Sequence, residues 1–402
     1  MASDFNQTPQ SNRLHISLFG RRNAGKSSLL NALTGQDVAV VSDVAGTTTD
    51  PVAKAMEIFP VGPVLITDTA GFDDMGQVGD KRVEATKKVV LHTDVALLLS
   101  DPDDMEEELR WAELFDTRGI PYIVVLNKID ARPDREAALQ RVEQAMKRKP
   151  VGVSATTGEG IDALRRRIAD IALELEEEEV SPFDSLPISA TDVVVLVMPQ
   201  DIQAPKGRLI LPQVQTIRQL LDRRCIVISC TTAEFEATLN ALKALPGMVI
   251  TDSQVFEQVE KLTPKGTPLT SFSILMAAEK SDIRPLVDGA KAIDTLTEHS
   301  KVLIAEACTH VPLAEDIGRI QIPRLLRKHA GEGLRVDIAS GKDFPDDLSQ
   351  YDLIVHCGGC MFNRKFMNNR LAQAQAAKVP MTNYGVAIAH LKGILKKVAI
   401  PE

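Results

Sequence analysis

The segment Gly20-Arg21-Arg22-Asn23-Ala24-Gly25-Lys26-Ser27 constrains this chain more than any other. It has the spacing GxxxxGK[ST], which works only where a strand runs into a tight loop that opens a helix. The apolar run at 14–20 predicts that strand, and residues 26–34 predict the helix. Glycines let backbone N–H groups curl around phosphates, and the helix N-terminus adds the positive end of its dipole. Strand-like runs recur at 64–68, 95–99 and 122–126, with helix-like segments between them. This alternation reads as βα units on a largely parallel sheet.

Three further motifs stand in an order that assigns the base. In the loop, Asn23, Ala24, Gly25, Lys26, Ser27 and Ser28 are the residues expected against a nucleotide. Lys26 reaches the β- and γ-phosphates, and Ser27 offers a hydroxyl to Mg²⁺. Asp68-Thr69-Ala70-Gly71 follows the strand at 64–68, where a carboxylate holding Mg²⁺ belongs. Asn127-Lys128-Ile129-Asp130 follows the strand at 122–126. The Asp130 carboxylate can accept from guanine N1–H and its 2-amino group, which adenine lacks, so the expected nucleotide is GTP. Ser154-Ala155 lays a backbone N–H against guanine O6. Together these residues resemble the translation-factor-like GTPases, including the tRNA-modifying and ribosome-assembly members. The resemblance makes Gly46-Thr47-Thr48-Thr49-Asp50 the first switch, with Thr48 on Mg²⁺ only while the γ-phosphate is present. It also implies that Lys26, Thr48, Asp68 and Gly71 serve hydrolysis. Position 72 is Phe, so the glutamine that orients water in Ras-like enzymes is missing and slow hydrolysis is expected. Asn23 is similar to the K⁺ ligand of potassium-activated members; its alternative role is to cap the loop.

The chain has 402 residues, enough for two or three domains. A net charge of −9 gives no global reason to expect nucleic acid. The absence of a run of 18 apolar residues speaks against a membrane span. Residues 1–12 lack the apolar stretch of a signal peptide. Five cysteines, sparse and odd in number, fit a reducing cytoplasm better than a disulfide framework. The acidic run 174–179 and Ser181, Pro182 and Pro187 place a linker at about 175–188. A second block follows, with strands at 193–198, 225–229 and 248–251 and helices at 213–223 and 233–245. Cys225 and Cys230 read as core residues of its central strand. A third block begins near Ser271, with apolar runs at 274–277, 302–305 and 353–356. The expected fold class is therefore α/β in three domains: 1–175 for the nucleotide, 188–268, and 270–402.

The third block carries unusual chemistry. One strand-like run ends in Cys308-Thr309-His310, and another in His356-Cys357-Gly358-Gly359-Cys360. In a parallel sheet both ends lie on one edge, where ligands bind. Buried structural thiols, a zinc site of three Cys and one His, a CxxC redox pair and an iron–sulfur cluster all remain open on these residues alone. For a [4Fe–4S] cluster, Cys308, Cys357 and Cys360 are the thiolate ligands, and His310, His356 and Glu315 are candidates for the fourth position. His356 precedes Cys357, so on an extended strand it faces the other way and suits a supporting role. Arg364 and Lys365, at the start of a helix expected over 363–378, could draw in an anion.

The order of GTPase, middle domain and CxH–HCxxC resembles the GTPases of [FeFe]-hydrogenase maturation over nearly the whole chain. Asp201–Gly207 and Glu306–His310 are also similar to that family. The resemblance implies a scaffold that holds a [4Fe–4S] cluster, receives a diiron precursor and delivers it to apo-[FeFe]-hydrogenase. Radical-SAM maturases would be the upstream partners, and residues 188–268 would form a homodimer contact. A regulatory GTPase with a zinc-binding docking domain is the alternative.

Overall fold

The computed structural model describes residues 9–34, 52–59, 61–71, 85–177, 181–199, 209–306, 316–341 and 343–402. The chain divides into two compact units, 1–179 and 180–402.

The first unit is built on a six-stranded sheet. Its strands are β1 (Leu14–Phe19), β2 (Val52–Ile58), β3 (Gly62–Asp68), β4 (Val95–Leu99), β5 (Tyr122–Leu126) and β6 (Val151–Gly152), in the order β2-β3-β1-β4-β5-β6. All pairs are parallel except β2 with β3. Helices cover both faces, so the central strands β4 and β5 are apolar throughout. On β4, Val95, Leu97 and Leu99 join one core with Leu29, Ile66 and Ile168. Ala96 and Leu98 point the other way, toward Phe19, Trp111 and Phe115. The first helix, Lys26–Thr34, starts where the loop spacing places it. The antiparallel edge strand β2 carries no strong sequence signal, because alternate side chains on it are solvated.

The second unit holds two all-parallel four-stranded sheets. The first contains β7 (Val193–Val197), β8 (Ile226–Cys230), β9 (Met248–Thr251) and β10 (Leu269–Ser271), in the order β10-β9-β7-β8. The second contains β11 (Lys301–Glu306), β12 (Arg335–Ser340), β13 (Leu353–His356) and β14 (Met381–Asn383), in the order β12-β11-β13-β14. The strand carrying Cys230, with Cys225 just before it, is therefore an edge strand and not the expected central one. Cys225 is still buried, but Cys230 is only half-buried. The run 274–277 lies in a helix, Phe272–Lys280. One apolar core runs through both sheets, joining Val195 and Val249 to Val302, Ile304 and Val355. Phe183 and Leu186, within the expected linker, are buried in a second core with Val194, Leu196 and Phe272. Close approaches fix the helices on the sheets. A Cβ on Gly289 would lie 2.0 Å from the Met381 carbonyl oxygen, so only glycine lets helix Ile283–Gly289 meet β14 there.

Candidate functional site

The nucleotide loop leaves the C-terminal end of β1 and is braced from behind by the Asn127 motif. Asn127 Nδ2 donates to the carbonyls of Ala24 (3.2 Å) and Gly25 (3.4 Å). Its Oδ1 accepts from Lys128 N (2.8 Å) and Ala155 N (3.2 Å). One buried side chain thus ties together three of the four sequence motifs. Lys128 adds a bond from Nζ to the Asn23 carbonyl at 2.6 Å. Gly25 has φ +89°, and a Cβ there would lie 2.4 Å from Asn127 Nδ2, so conformation and space both require glycine. Asn23 takes φ +60°, a left-handed conformation that asparagine tolerates, and is exposed.

Lys26 Nζ donates to the carbonyls of Gly20 (2.9 Å) and Arg21 (2.8 Å), which holds the ammonium at the loop mouth. Ser27 Oγ donates to Asp68 Oδ2, and Asp68 Oδ1 is buried with no hydrogen-bond partner among the described residues. Burial raises the Asp68 carboxyl above the usual carboxylate range, against the pull of Ser27 and then Lys26. A hydroxyl touching a carboxylate whose second oxygen lacks a partner fits a Mg²⁺ site. Thr69 Oγ1 anchors the motif to the Leu18 carbonyl at 2.6 Å, and Gly71 is buried beside it. Asp130 is exposed in the turn Ile129–Ala131, which Ile129 N ties to the Val153 carbonyl at 3.2 Å. Ser154 is fully buried, and its Oγ accepts from Thr157 N at 3.1 Å. Thr48 and the first switch lie outside the described residues.

Sequence reasoning missed a brace on the loop. Arg21 donates from Nε to Glu108 (3.0 Å) and from Nη1 to Asp104 (2.7 Å). Glu108 is fully buried in helix Glu106–Thr117, and that burial raises its carboxyl despite the guanidinium. No motif spacing marks this pair, because its partners lie far apart in the chain.

In the second unit, β11 and β13 are adjacent and parallel, with Ala305 opposite His356. Cys357 N donates to the Ala305 carbonyl at 2.9 Å, which extends the pairing by one residue. Gly359 then turns the chain at φ +67°, and its N–H donates to Cys357 Sγ at 3.4 Å. A Cβ at that glycine would lie 2.5 Å from Met367 Sδ. Asn363 Oδ1 accepts from Phe366 N (3.2 Å), capping helix Arg364–Ala376; Arg364 and Lys365 are partly exposed in its first turn. Cys357 and Cys360 are both half-buried on this turn. Cys308, His310 and Glu315 lie outside the described residues. Among the described residues no group of three or more His, Cys, Asp or Glu side chains is arranged to hold a metal. Glu306 and Arg319 flank the segment 307–315 and form an ion pair at 2.9 Å, with Ser340 Oγ 3.1 Å from the same carboxylate oxygen.

His356, the last residue of β13, is fully buried. Its Nδ1 donates to the Cys357 carbonyl (2.7 Å), and its Nε2 accepts from Arg370 Nη1 (2.7 Å), since a carbonyl only accepts and a guanidinium only donates. Both ring nitrogens are engaged, so in this arrangement neither is open to a metal and His356 supports the turn. Burial, then the Arg370 charge, lowers its pKa to about 3. Arg370 also donates from Nη2 to the Gly341 carbonyl at 2.6 Å. The rings of Phe344, Phe362 and Phe366 surround its guanidinium at 4.6, 4.9 and 4.8 Å. Burial lowers its pKa to about 10, opposed by the Cys357 charge. The sequence carried one unread signal for this residue: Phe362, Phe366 and Arg370 recur every four residues, on one face of the helix and its approach.

Comparison with known proteins covers most of this architecture. Residues 15–128 match the family described as 50S ribosome-binding GTPase. The chain is 39% identical over 157 residues to a tRNA modification GTPase MnmE of Neisseria gonorrhoeae, covering 39% of this chain and 34% of the relative. It is 38% identical over 170 residues to a GTPase Der of Wolinella succinogenes, covering 39% and 36%. The chain thus spans about a third of the length of the curated relatives it matches. Among solved structures, Aquifex aeolicus Era bound to GDP·AlF4⁻ aligns with a TM-score of 0.34 and 22% identity, over 54% of this chain and 92% of that one. The FeoB G-domain from Methanococcus jannaschii aligns with a TM-score of 0.32 and 22% identity, over 40% and 98%. Residues 186–281 match the hydrogen maturase F dimerization domain, and residues 284–401 its tetramerization domain. These last two matches cover more than half of the chain, in tandem behind the GTPase domain, and the chain belongs to the hydrogen maturase F family.

Proposed function

We propose that this protein is a GTP-hydrolysing scaffold of [FeFe]-hydrogenase maturation. In this reading residues 1–175 bind GTP and Mg²⁺, residues 188–268 pair two copies, and residues 270–402 hold a [4Fe–4S] cluster. The observation that carries the reading is the HCxxC turn at the end of β13, beside the end of β11, two residues before Cys308 in sequence. The donor set fits an iron–sulfur cluster: two soft thiols share one glycine turn, and a backbone N–H already donates to one of them. Cys308, Cys357 and Cys360 would supply three thiolates, leaving His310 or Glu315 for the fourth position. When bound, a cluster with a replaceable fourth ligand supplies one open iron. The substrate is a diiron precursor bearing CO and cyanide, received from radical-SAM maturases and passed to apo-[FeFe]-hydrogenase.

The protein's own residues divide the remaining work. Lys26 and the loop amides bind phosphates, Ser27 and Asp68 hold Mg²⁺ together with Thr48, and Asp130 selects guanine. The exposed Asn23, with its carbonyl fixed by Lys128, presents a side chain for K⁺. Pairing is supported by β8, an edge strand on which Ile226 is 51% exposed. In this reading the protein acts in the cytoplasm. No described helix is long and apolar enough to cross a membrane.

The test is anaerobic purification of the full chain. Brown protein with iron and sulfide is expected, whereas colourless protein with zinc would replace this reading with a docking role. Cys357→Ala should remove the cluster and leave GTP hydrolysis nearly unchanged. Full iron–sulfur content in that variant refutes the ligand assignment.

A further inference from the structure

Arg370 is 4% exposed, and every described group that touches it is neutral. Nη1 donates to His356 Nε2, Nη2 donates to the Gly341 carbonyl, and Nε is buried without an acceptor among the described residues. The three phenylalanine rings around the guanidinium offer their electron-rich faces but no formal charge. Among the described residues no carboxylate pairs with it. Arg319, in the same unit, makes the contrast, because its guanidinium meets the Glu306 carboxylate at 2.9 Å. A buried cation with only neutral partners is costly unless a negative charge completes the site. The cysteine turn can supply that charge, and Arg370 is tied to it through one residue: His356 links Arg370 Nη1 on one side to the Cys357 carbonyl on the other, each at 2.7 Å.

The geometry points to Arg370 as the built-in counter-cation of a thiolate-bound iron–sulfur cluster at Cys357 and Cys360, a positioning residue that acts through His356. It offsets the negative charge of the thiolates and of the cluster they bind. It also sets how readily that cluster takes up an electron, because a fixed cation favours the more negative, reduced state. The inference rests on the cluster assignment proposed above.

The full-length protein, R370K and R370Q are reconstituted anaerobically. Iron and sulfide are counted, thermal melts confirm folding, and each cluster is titrated with dithionite, which supplies the single electron of the couple. At the wild-type midpoint, the ratio of oxidised to reduced cluster in R370Q should rise at least tenfold, a shift of about 59 mV to more negative potential for one electron. R370K should stay within about threefold of wild type. An unchanged potential in R370Q overturns the inference while leaving the cluster assignment standing, as does a shift in R370K equal to that in R370Q. If R370Q folds but holds no cluster, retention by R370K supports the charge role and loss from both overturns it. Wild-type protein that binds no iron and sulfide overturns the cluster assignment itself, and this inference with it.

Discussion

Replacing Asn127 by alanine tests whether the base-recognition motif also builds the phosphate loop. The side chain makes four hydrogen bonds, two to loop carbonyls and two from backbone amides. The carbonyl bonds are long, at 3.2 and 3.4 Å, and those oxygens lie near solvent, so their loss costs little. The amides of Lys128 and Ala155 are different, because each loses its acceptor inside the site. An unsatisfied buried group costs ~1–3 kcal/mol, and partial access to water brings the pair to ~2–3 kcal/mol. At 1.4 kcal/mol per decade this weakens GDP or GTP binding about 30- to 150-fold. The assay is equilibrium titration of the full chain with a fluorescent guanine nucleotide. Asn127→Asp separates the two roles, since it keeps the acceptor but sets a carboxylate against the loop carbonyls. A dissociation constant for Asn127→Ala within about threefold of wild type would refute the reasoning, and would mean that the loop holds its shape without this brace.

Asp130→Asn should weaken GTP by roughly 10- to 150-fold, the worth of charge-assisted bonds to the base, with ATP unaffected; equal losses for both nucleotides would contradict base selection. Gly289→Ala should destabilise the second unit by ~2–3 kcal/mol, since the new methyl meets backbone oxygen and not a mobile side chain. Its melting point should drop roughly 4–12 °C, and a drop under one degree would show that the helix can shift freely. Glu257 is held down to about 2 by hydrogen bonds from Lys392 and then Lys261. Its folded-state value is depressed, so its contribution is complete above pH 4.5 and disappears as the pH falls toward 2. The difference in urea midpoint between wild type and Glu257→Gln should therefore narrow between about pH 7 and about pH 3, and a constant gap would exclude the ion pairs.

Much of the first unit was legible because its chemistry demands fixed spacings. The strand at 95–99, the strand at 122–126 and the helix at 26–34 fall where their apolar runs put them. What the motifs do to one another was not legible: Asn127 lies in the base-recognition motif, yet its hydrogen bonds run to backbone of the loops it joins. In the second unit, strands β10 and β14 have three residues each, too few for periodicity to rise above neighbouring turns. The edge position of β8 escaped for a related reason. Its Ile-Val-Ile run looks central, and only the sheet order reveals that one side is unpaired among the described residues. Arg370 escaped because a charged residue in a helix reads as solvated until tertiary contacts bury it. The cysteine pattern was visible from spacing, while the engagement of both His356 nitrogens depends on Arg370, fourteen residues away.

The core that runs through both sheets of the second unit limits how its two halves can be exchanged between proteins. Family boundaries separate the halves near residue 282, but Ile274 and Ala277, before that point, share one apolar cluster with Ile304 and Val355 after it. Recombination at that point would leave each piece with an unmatched greasy surface. The halves should therefore be inherited as a pair, and a substitution on one side of the cluster should select a volume-matching change on the other.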